Sequence, residues 1–239
     1  MYNALPQLSA NFEEVFLHNI VGDGYSLDGV VESRLRKIYW PQPYGDVQPE
    51  FWDRKNRLNK LVVIAGNHNP RFRKPEFYSE RIKAVAILSK CNGIDLFGRG
   101  WEKWWSLQSL WWPYWYHRQI IMSSYRGGCT SKLEVLSKYR FSLCFENMPM
   151  TGYVTEKLFD CFYAGTVPIY WGAPDINELV PSEAYIDMRK FRSFEDMFDQ
   201  VQQLSDKDWI NMREAARDFL RGRGTTQYRD SLLNVISLN

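Results

Sequence analysis

Phe141-Ser-Leu-Cys-Phe145, running into Glu146-Asn-Met-Pro-Met-Thr-Gly-Tyr-Val-Thr-Glu-Lys157, decides the fold of this 239-residue chain. Five apolar or small residues closed by a polar turn with Pro149 and Gly152 read as a strand buried on both faces. A helix from Thr155 to Tyr163 and a strand Val167-Pro-Ile-Tyr170 follow, completing one strand–helix–strand unit. Upstream lies a second unit: strand Leu61-Val-Val-Ile-Ala65, a helix-compatible stretch Glu76 to Ser89, and strand Ile94-Asp-Leu-Phe97, with a further helix Lys132 to Lys138 leading into the central strand. Such alternation predicts an α/β, Rossmann-like parallel sheet covered by helices on both faces. The C-terminal part reads as helices over Ser193–Leu204, Lys207–Leu220 and Arg229–Ile236. Before residue 58, Gly22, Gly24, Pro41, Pro43, Gly45 and Pro49 interrupt the pattern, leaving one candidate strand over Arg34–Trp40.

Thirty Lys and Arg against 28 Asp and Glu leave a net charge of only +2, which argues against a nucleic-acid binder that coats phosphates with cations. Cys91, Cys129, Cys144 and Cys161 form no CxxC pair, so neither a zinc knuckle nor a redox motif is expected, and a reducing compartment is the simpler setting. The polar start lacks the features of a signal peptide, and no apolar run approaches the ~18 residues of a spanning helix. A cytoplasmic location is the resulting expectation.

In a parallel sheet, ligands sit beyond the carboxyl ends of the strands, which places the segment after Phe145 at the site. The helix starting near Thr155 offers free N–H groups and the positive end of its dipole, both suited to phosphate. Lys157 in that first turn is electrostatically misplaced unless an anion joins it. The competing reading has Lys157 in solvent and Thr155 as a simple cap. If Lys157 serves a ligand in an open cleft, its removal is expected to weaken binding without unfolding the chain.

The runs Tyr139–Asn147, Gly152–Asp160, Ala164-Gly-Thr-Val-Pro-Ile-Tyr-Trp-Gly-Ala-Pro174 and Tyr185-Ile-Asp187 resemble the donor-binding half of glycosyltransferase family 10, the α-1,3/1,4-fucosyltransferases. The likeness extends more loosely through Asn67, Arg73, Phe77-Tyr78, Asp95-Leu-Phe-Gly98 and Tyr125-Arg-Gly127. It implies the nucleotide-sugar half of a two-Rossmann-domain (GT-B type) enzyme that inverts the anomeric centre of GDP-fucose and passes fucose to a glycan hydroxyl without a metal cofactor. By position, Lys157 and Arg73, with Arg71 as rival, would hold the diphosphate, and Asn147 would hydrogen-bond nearby. Tyr153 and Glu156 would contact ribose or fucose, with Val154 and Thr155 in the same contact stretch. Those residue types suit the chemistry, because charge accumulates on the departing GDP as the C1–O bond breaks. The alternatives are a GDP-sugar-binding module lacking its acceptor domain and a transferase for another GDP-sugar.

The general base stays open. The family's base belongs to an acceptor domain, yet only about 60 residues precede the first donor-side strand, too few for a second Rossmann domain. Residues 1–58 are therefore expected to be a reduced or partial acceptor-side segment and 59–239 the nucleotide-sugar-binding domain. Glu13, Glu14, Asp23, Asp28 and Glu32 are candidates by proximity, while Glu146 either serves as base or anchors its turn.

Asp206-Lys-Asp208 looks like a metal-binding DxD, but after Ser205 and before an amphipathic stretch it reads better as a helix start. His18, His68 and His117 fit no metal motif. Trp101–Tyr116 carries six tryptophans at helical spacing broken by Pro113, compatible with packing against another domain, an acceptor-sugar platform, or peripheral membrane contact through 101–116.

Overall fold

The computed structural model describes residues 2–69, 75–103 and 111–236. A small N-terminal unit comes first, with helix α1 (Leu5–Asn11) and two short parallel strands, β1 (Val15–Leu17) and β2 (Leu35–Lys37), around Leu5, Leu17 and Leu35. The strand expected over Arg34–Trp40 is confined to β2. Helix α2 (Pro49–Trp52) leads into the main sheet of β3 (Leu58–Ile64), β4 (Ile94–Phe97), β5 (Tyr139–Phe145), β6 (Val167–Trp171) and β7 (Ile186–Asp187). All neighbours are parallel, in the order β4-β3-β5-β6-β7.

That order follows from the alternation. Helix α3 (Tyr78–Lys90) links β3 to β4, helices α4 (Trp112–Ser124) and α5 (Lys132–Leu136) carry the chain across to β5, and α6 (Glu156–Ala164) links β5 to β6. Phe141, Leu143 and Phe145 of β5 enter a core with Ile82 and Val85 of α3 and Tyr114 and Ile121 of α4, whereas Cys144 enters the opposite core with Leu158, Phe159 and Phe162 of α6. Both faces of β5 are thus buried, which is why its sequence shows no polar alternation. The second core reaches back to Val47 and Trp52, so the larger body includes residues ahead of 58.

After β6 come α7 (Ile176–Leu179), α8 (Phe194–Gln202), α9 (Asp206–Phe219) and α10 (Ser231–Ile236). The segment Leu220–Arg229 between the last two, kinked at Gly222, returns the chain to the linker ahead of α2, where Arg221 meets Asp46 at 2.8 Å. Ser205 caps α9, its Oγ accepting from the Asp208 amide at 3.1 Å and donating to the Asp208 carboxylate at 2.6 Å, and Asp206 pairs with Arg140. Of the DxD-like run, Asp208 therefore serves the helix start and Asp206 ties it to the beginning of β5.

The aromatic stretch departs from its expected helix. Pro113 stands in the first turn of α4, where a missing N–H goes unneeded, so it begins the helix instead of breaking one. Trp101 is buried against Tyr114, and its indole donates to the Ala65 carbonyl at 2.7 Å. Trp112 and Tyr116 are exposed, and Trp104 and Trp105 lie outside the described residues. Among the described residues no helix is long and apolar enough to cross a membrane.

Candidate active site

In this strand order the chain leaves β3 in one direction for β4 and returns on its other side at β5, and a cleft of about 880 Å³ opens at the carboxyl ends of those strands. Diverging connections leave such a crevice at the switch point of any doubly wound sheet. One wall is the exit of β3 and β4, brought together by Gly98. At φ 138° Gly98 sits so close that a Cβ would lie 1.9 Å from the Ala65 carbonyl oxygen. The other walls are the exit of β5 and the first turns of α3 and α6.

Glu146 organises the β5 exit. Fully buried, it accepts from the Thr155 amide at 2.8 Å, from the Thr155 hydroxyl at 2.8 and 3.0 Å, and from Lys157 Nζ at 2.9 Å. Gly172 makes room for it, since a Cβ there would stand 2.6 Å from Glu146 Cγ. Glu146 thus anchors the turn, and the alternative role as base is set aside because its oxygens are committed to these donors. Thr155 directs its hydroxyl to Glu146 and does not cap α6, in contrast to the serines that cap α5, α8 and α9. The anion that joins Lys157 is in the first instance this carboxylate.

Lys157 still faces the cleft with 26% of its side chain exposed. Burial alone would lower its pKa, but Glu146 and Glu156 outweigh burial and hold the ammonium above its ordinary range. Its two acceptors, Glu146 and Thr155, leave capacity for one more. Glu156 and Asp160, one turn apart on α6, share Lys132 of α5 at 3.6 and 2.9 Å. Burial raises the Asp160 pKa, whereas on Glu156 it is overcome by Lys157 and Lys132, which keep that carboxylate low. Buried Arg81 donates to the carbonyls of Phe145 and Glu146 at 2.7 and 3.2 Å, adding a third cation whose pKa burial pushes down.

Of the expected contact residues, the cleft brings together Asn147, Glu156 and Lys157. Tyr153 is half-buried and does not line it, with burial raising its phenol pKa. Val154, 2% exposed, belongs to the core, so its side chain serves packing and not a ligand. Thr155 is likewise buried on Glu146. Arg73 and its rival Arg71 lie outside the described residues. Lys132, Asp160 and Arg81 were not anticipated. Arg81 left a trace in the sequence, a charge one position before Ile82 at the start of an otherwise apolar helix face.

The candidate bases of the N-terminal unit do not reach the cleft. Glu13, Glu14, Asp28 and Glu32 are exposed, and Glu14 pairs with Arg36 at 2.8 Å. Asp23 instead holds the loop after β5, accepting from the Thr151 amide at 2.8 Å and hydroxyl at 2.9 Å, while Asn19 donates to the Thr151 carbonyl. Gly152 closes the joint: a Cβ there would stand 2.5 Å from the His18 carbonyl oxygen. Asp23→Ala is expected to cost about 1–3 kcal/mol through the donors it strands. Hydrogen exchange at the Thr151 amide should then accelerate, and unchanged protection would show that the loop is held by other contacts.

The model for glycosyltransferase family 10 (fucosyltransferase), C-terminal part, matches residues 55–213. The chain belongs to this family. It is similar to the α-(1,3)-fucosyltransferase FucT of Helicobacter pylori, with 39% identity over 74 residues covering 31% of this chain and 16% of that protein. It is also similar to α-(1,3)-fucosyltransferase C of Drosophila melanogaster, 36% identical over 175 residues covering 66% of this chain and 37% of that protein. Matches to these relatives span well under two thirds of their length. In fold the family 10 chain resembles HepE of Anabaena, with a TM-score of 0.59 at 10% identity over 98% of this chain and 66% of that one. The parallel sheet with flanking helices is the Rossmann-like half of a GT-B glycosyltransferase.

Proposed function

We propose that the family 10 chain binds GDP-fucose in the switch-point cleft and serves inverting transfer of fucose to a hydroxyl of a glycan acceptor. The observation that carries this reading is Lys157, fixed by a buried carboxylate at the uncapped start of α6 with its ammonium on the cleft. A diphosphate there meets a fixed cation, helix amides and the nearby charges of Lys132 and Arg81. Preorganised donors of this kind contribute on the order of 2–4 kcal/mol each to stabilising charge on a leaving group. We assign Asn147 and Glu156 to donor contacts beside Lys157, with Arg73 as a further contact. In this reading no metal is required.

A second reading is favoured by a specific observation. Among the described residues, the carboxylates lining the cleft are already engaged, Glu76 with Ser79 and both Glu156 and Asp160 with Lys132. A donor-binding half whose base comes from an acceptor-side partner would look like this, with residues 1–58 as its reduced acceptor-side segment. The free thiols support a reducing, cytoplasmic setting, and the exposed rings of Trp112 and Tyr116 support a peripheral membrane contact of the 101–116 stretch.

Titration calorimetry with GDP, GDP-fucose and GDP-mannose tests the donor assignment. Lys157→Ala alone would leave buried Glu146 without its cation, so instability would be mixed with weaker binding, contrary to what the sequence suggested. Paired with Glu146→Gln it removes both charges. The double variant is expected to stay folded and to bind GDP at least about tenfold more weakly. GDP binding unaffected by the double variant would defeat the assignment. EDTA is expected to leave the heat of GDP binding unchanged, and its loss would establish a metal requirement. Fucose transfer by the chain alone decides between the two readings.

A further inference from the structure

A second cleft, of about 430 Å³, opens at the opposite end of the sheet, where Arg57 precedes β3, Arg140 begins β5 and Asp206 begins α9. The two clefts share no lining residue and lie toward opposite ends of β5, this one at Arg140 and the first from Ser142 to Phe145. Its lining holds Arg54, Lys55, Arg57, Arg140 and Arg213 against two carboxylates, Asp53 and Asp206. Arg213 lies 4.3 Å from the Trp52 ring and 4.5 Å from Trp209, and Arg140 lies 4.9 Å from Trp209. The indoles fix the guanidinium planes without supplying a countercharge.

The internal contacts do not neutralise this cluster. Arg57 donates to the main-chain carbonyls of Phe51, Trp52 and Ala164, which explains its place but offsets no charge. Arg213 donates to the Trp52 carbonyl at 2.6 Å. The ion pair of Arg140 is with Asp206 at 2.7 Å, a carboxylate 83% exposed and therefore well screened by water. Arg140 Nε and Nη2 and Arg213 Nε are buried with no hydrogen-bond partner among the described residues. Buried donors of this kind are costly, and a stacked cluster of five cations against two carboxylates leaves room for a further anion supplied from outside. Burial, then Arg213 and Arg54, lower Arg57 to about 9, in keeping with that deficit.

We propose that this cleft is a binding site for a phosphate monoester, its dianionic oxygens held among Arg54, Lys55, Arg140 and Arg213 beside the start of α9. Guanidinium forks match phosphate oxygens in pairs. The volume falls in the range of about 300–1,000 Å³ for small-molecule sites, so an organic group fits beside the indoles together with the phosphate. Nothing here depends on the donor reading, because these residues lie at the other end of the strands.

The test uses phenyl phosphate in calorimetry and vesicles of phosphatidylcholine with or without phosphatidic acid in flotation. Arg54→Glu with Lys55→Glu reverses two exposed charges and leaves the stacked residues in place. It is expected to weaken phenyl phosphate binding at least roughly tenfold with the melting temperature unchanged, and Arg140→Gln to weaken it similarly. Raising salt should weaken binding further. Binding of phenyl phosphate that the charge reversal weakens supports a soluble ester. Flotation only with phosphatidic acid, lost on charge reversal, supports a lipid headgroup as the source. No binding of either probe, or binding that the charge reversal leaves unchanged, overturns the proposal.

Discussion

Glu146→Ala is expected to destabilise the chain by about 3–5 kcal/mol, the range for breaking a buried ion pair on one side only. The substitution strands the Thr155 amide and hydroxyl and leaves Lys157 half-buried without its carboxylate, all at the junction of β5 and α6. For a chain of this size the melting temperature should fall by roughly 10 °C. Glu146→Gln keeps an acceptor for Thr155 and should lose far less. Because the carboxylate places Lys157, GDP affinity should decline in both variants, and more in alanine than in glutamine. Calorimetric melting of Glu146→Ala at the wild-type temperature would show that the helix start is organised by something else.

Gly98→Ala is expected to cost more than about 4 kcal/mol, the level at which single substitutions become exceptional. A methyl group there would stand 1.9 Å from the Ala65 carbonyl oxygen, and φ 138° is strained for any side chain. Neither conflict relaxes through a side-chain rotation, because the obstacle is the backbone of the neighbouring strand exit. The variant should lose its cooperative melting transition. Gly128→Ala is the matched control, with nothing within 4 Å of the added methyl and no positive φ, and it should melt within a degree or two of wild type, for an effect below about 0.5 kcal/mol. A folded Gly98→Ala protein with unchanged melting would mean that the β3 and β4 exits separate freely.

The sheet was readable because its inner strands are continuous apolar runs that tolerate burial on both faces. Leu61–Ala65, Ile94–Phe97, Phe141–Phe145 and Val167–Tyr170 all fall in or against observed strands. The start of β5 at Tyr139 was not readable, since Tyr139 owes its burial to a distant partner, Asp95, which accepts from its hydroxyl at 2.9 Å. Two-residue β7 has no periodicity to detect. Pro113 misled because proline is read as a breaker unless the helix start is already known. At the site, the polar run after β5 pointed to Asn147, Glu156 and Lys157, and all three line the cleft. The run after β5 said nothing of Arg81 or Lys132, which arrive from α3 and from α5. The dual nature of Glu146 was visible as a choice, and only the distances to Thr155 and Lys157 resolve it.

The outer margins of the five-stranded sheet bear on how the chain behaves in a crowded solution. At one margin β7 is only two residues long. At the other, β4 is flanked by the segment Tyr125–Gly127, with the Arg126 amide donating to the Leu96 carbonyl at 2.8 Å and the Gly98 amide to the Gly127 carbonyl at 3.0 Å. A long row of unpaired amides is what lets separate molecules zip together strand by strand into aggregates. With one rim cut short and the other sealed by its own loop, this sheet offers little template for that growth.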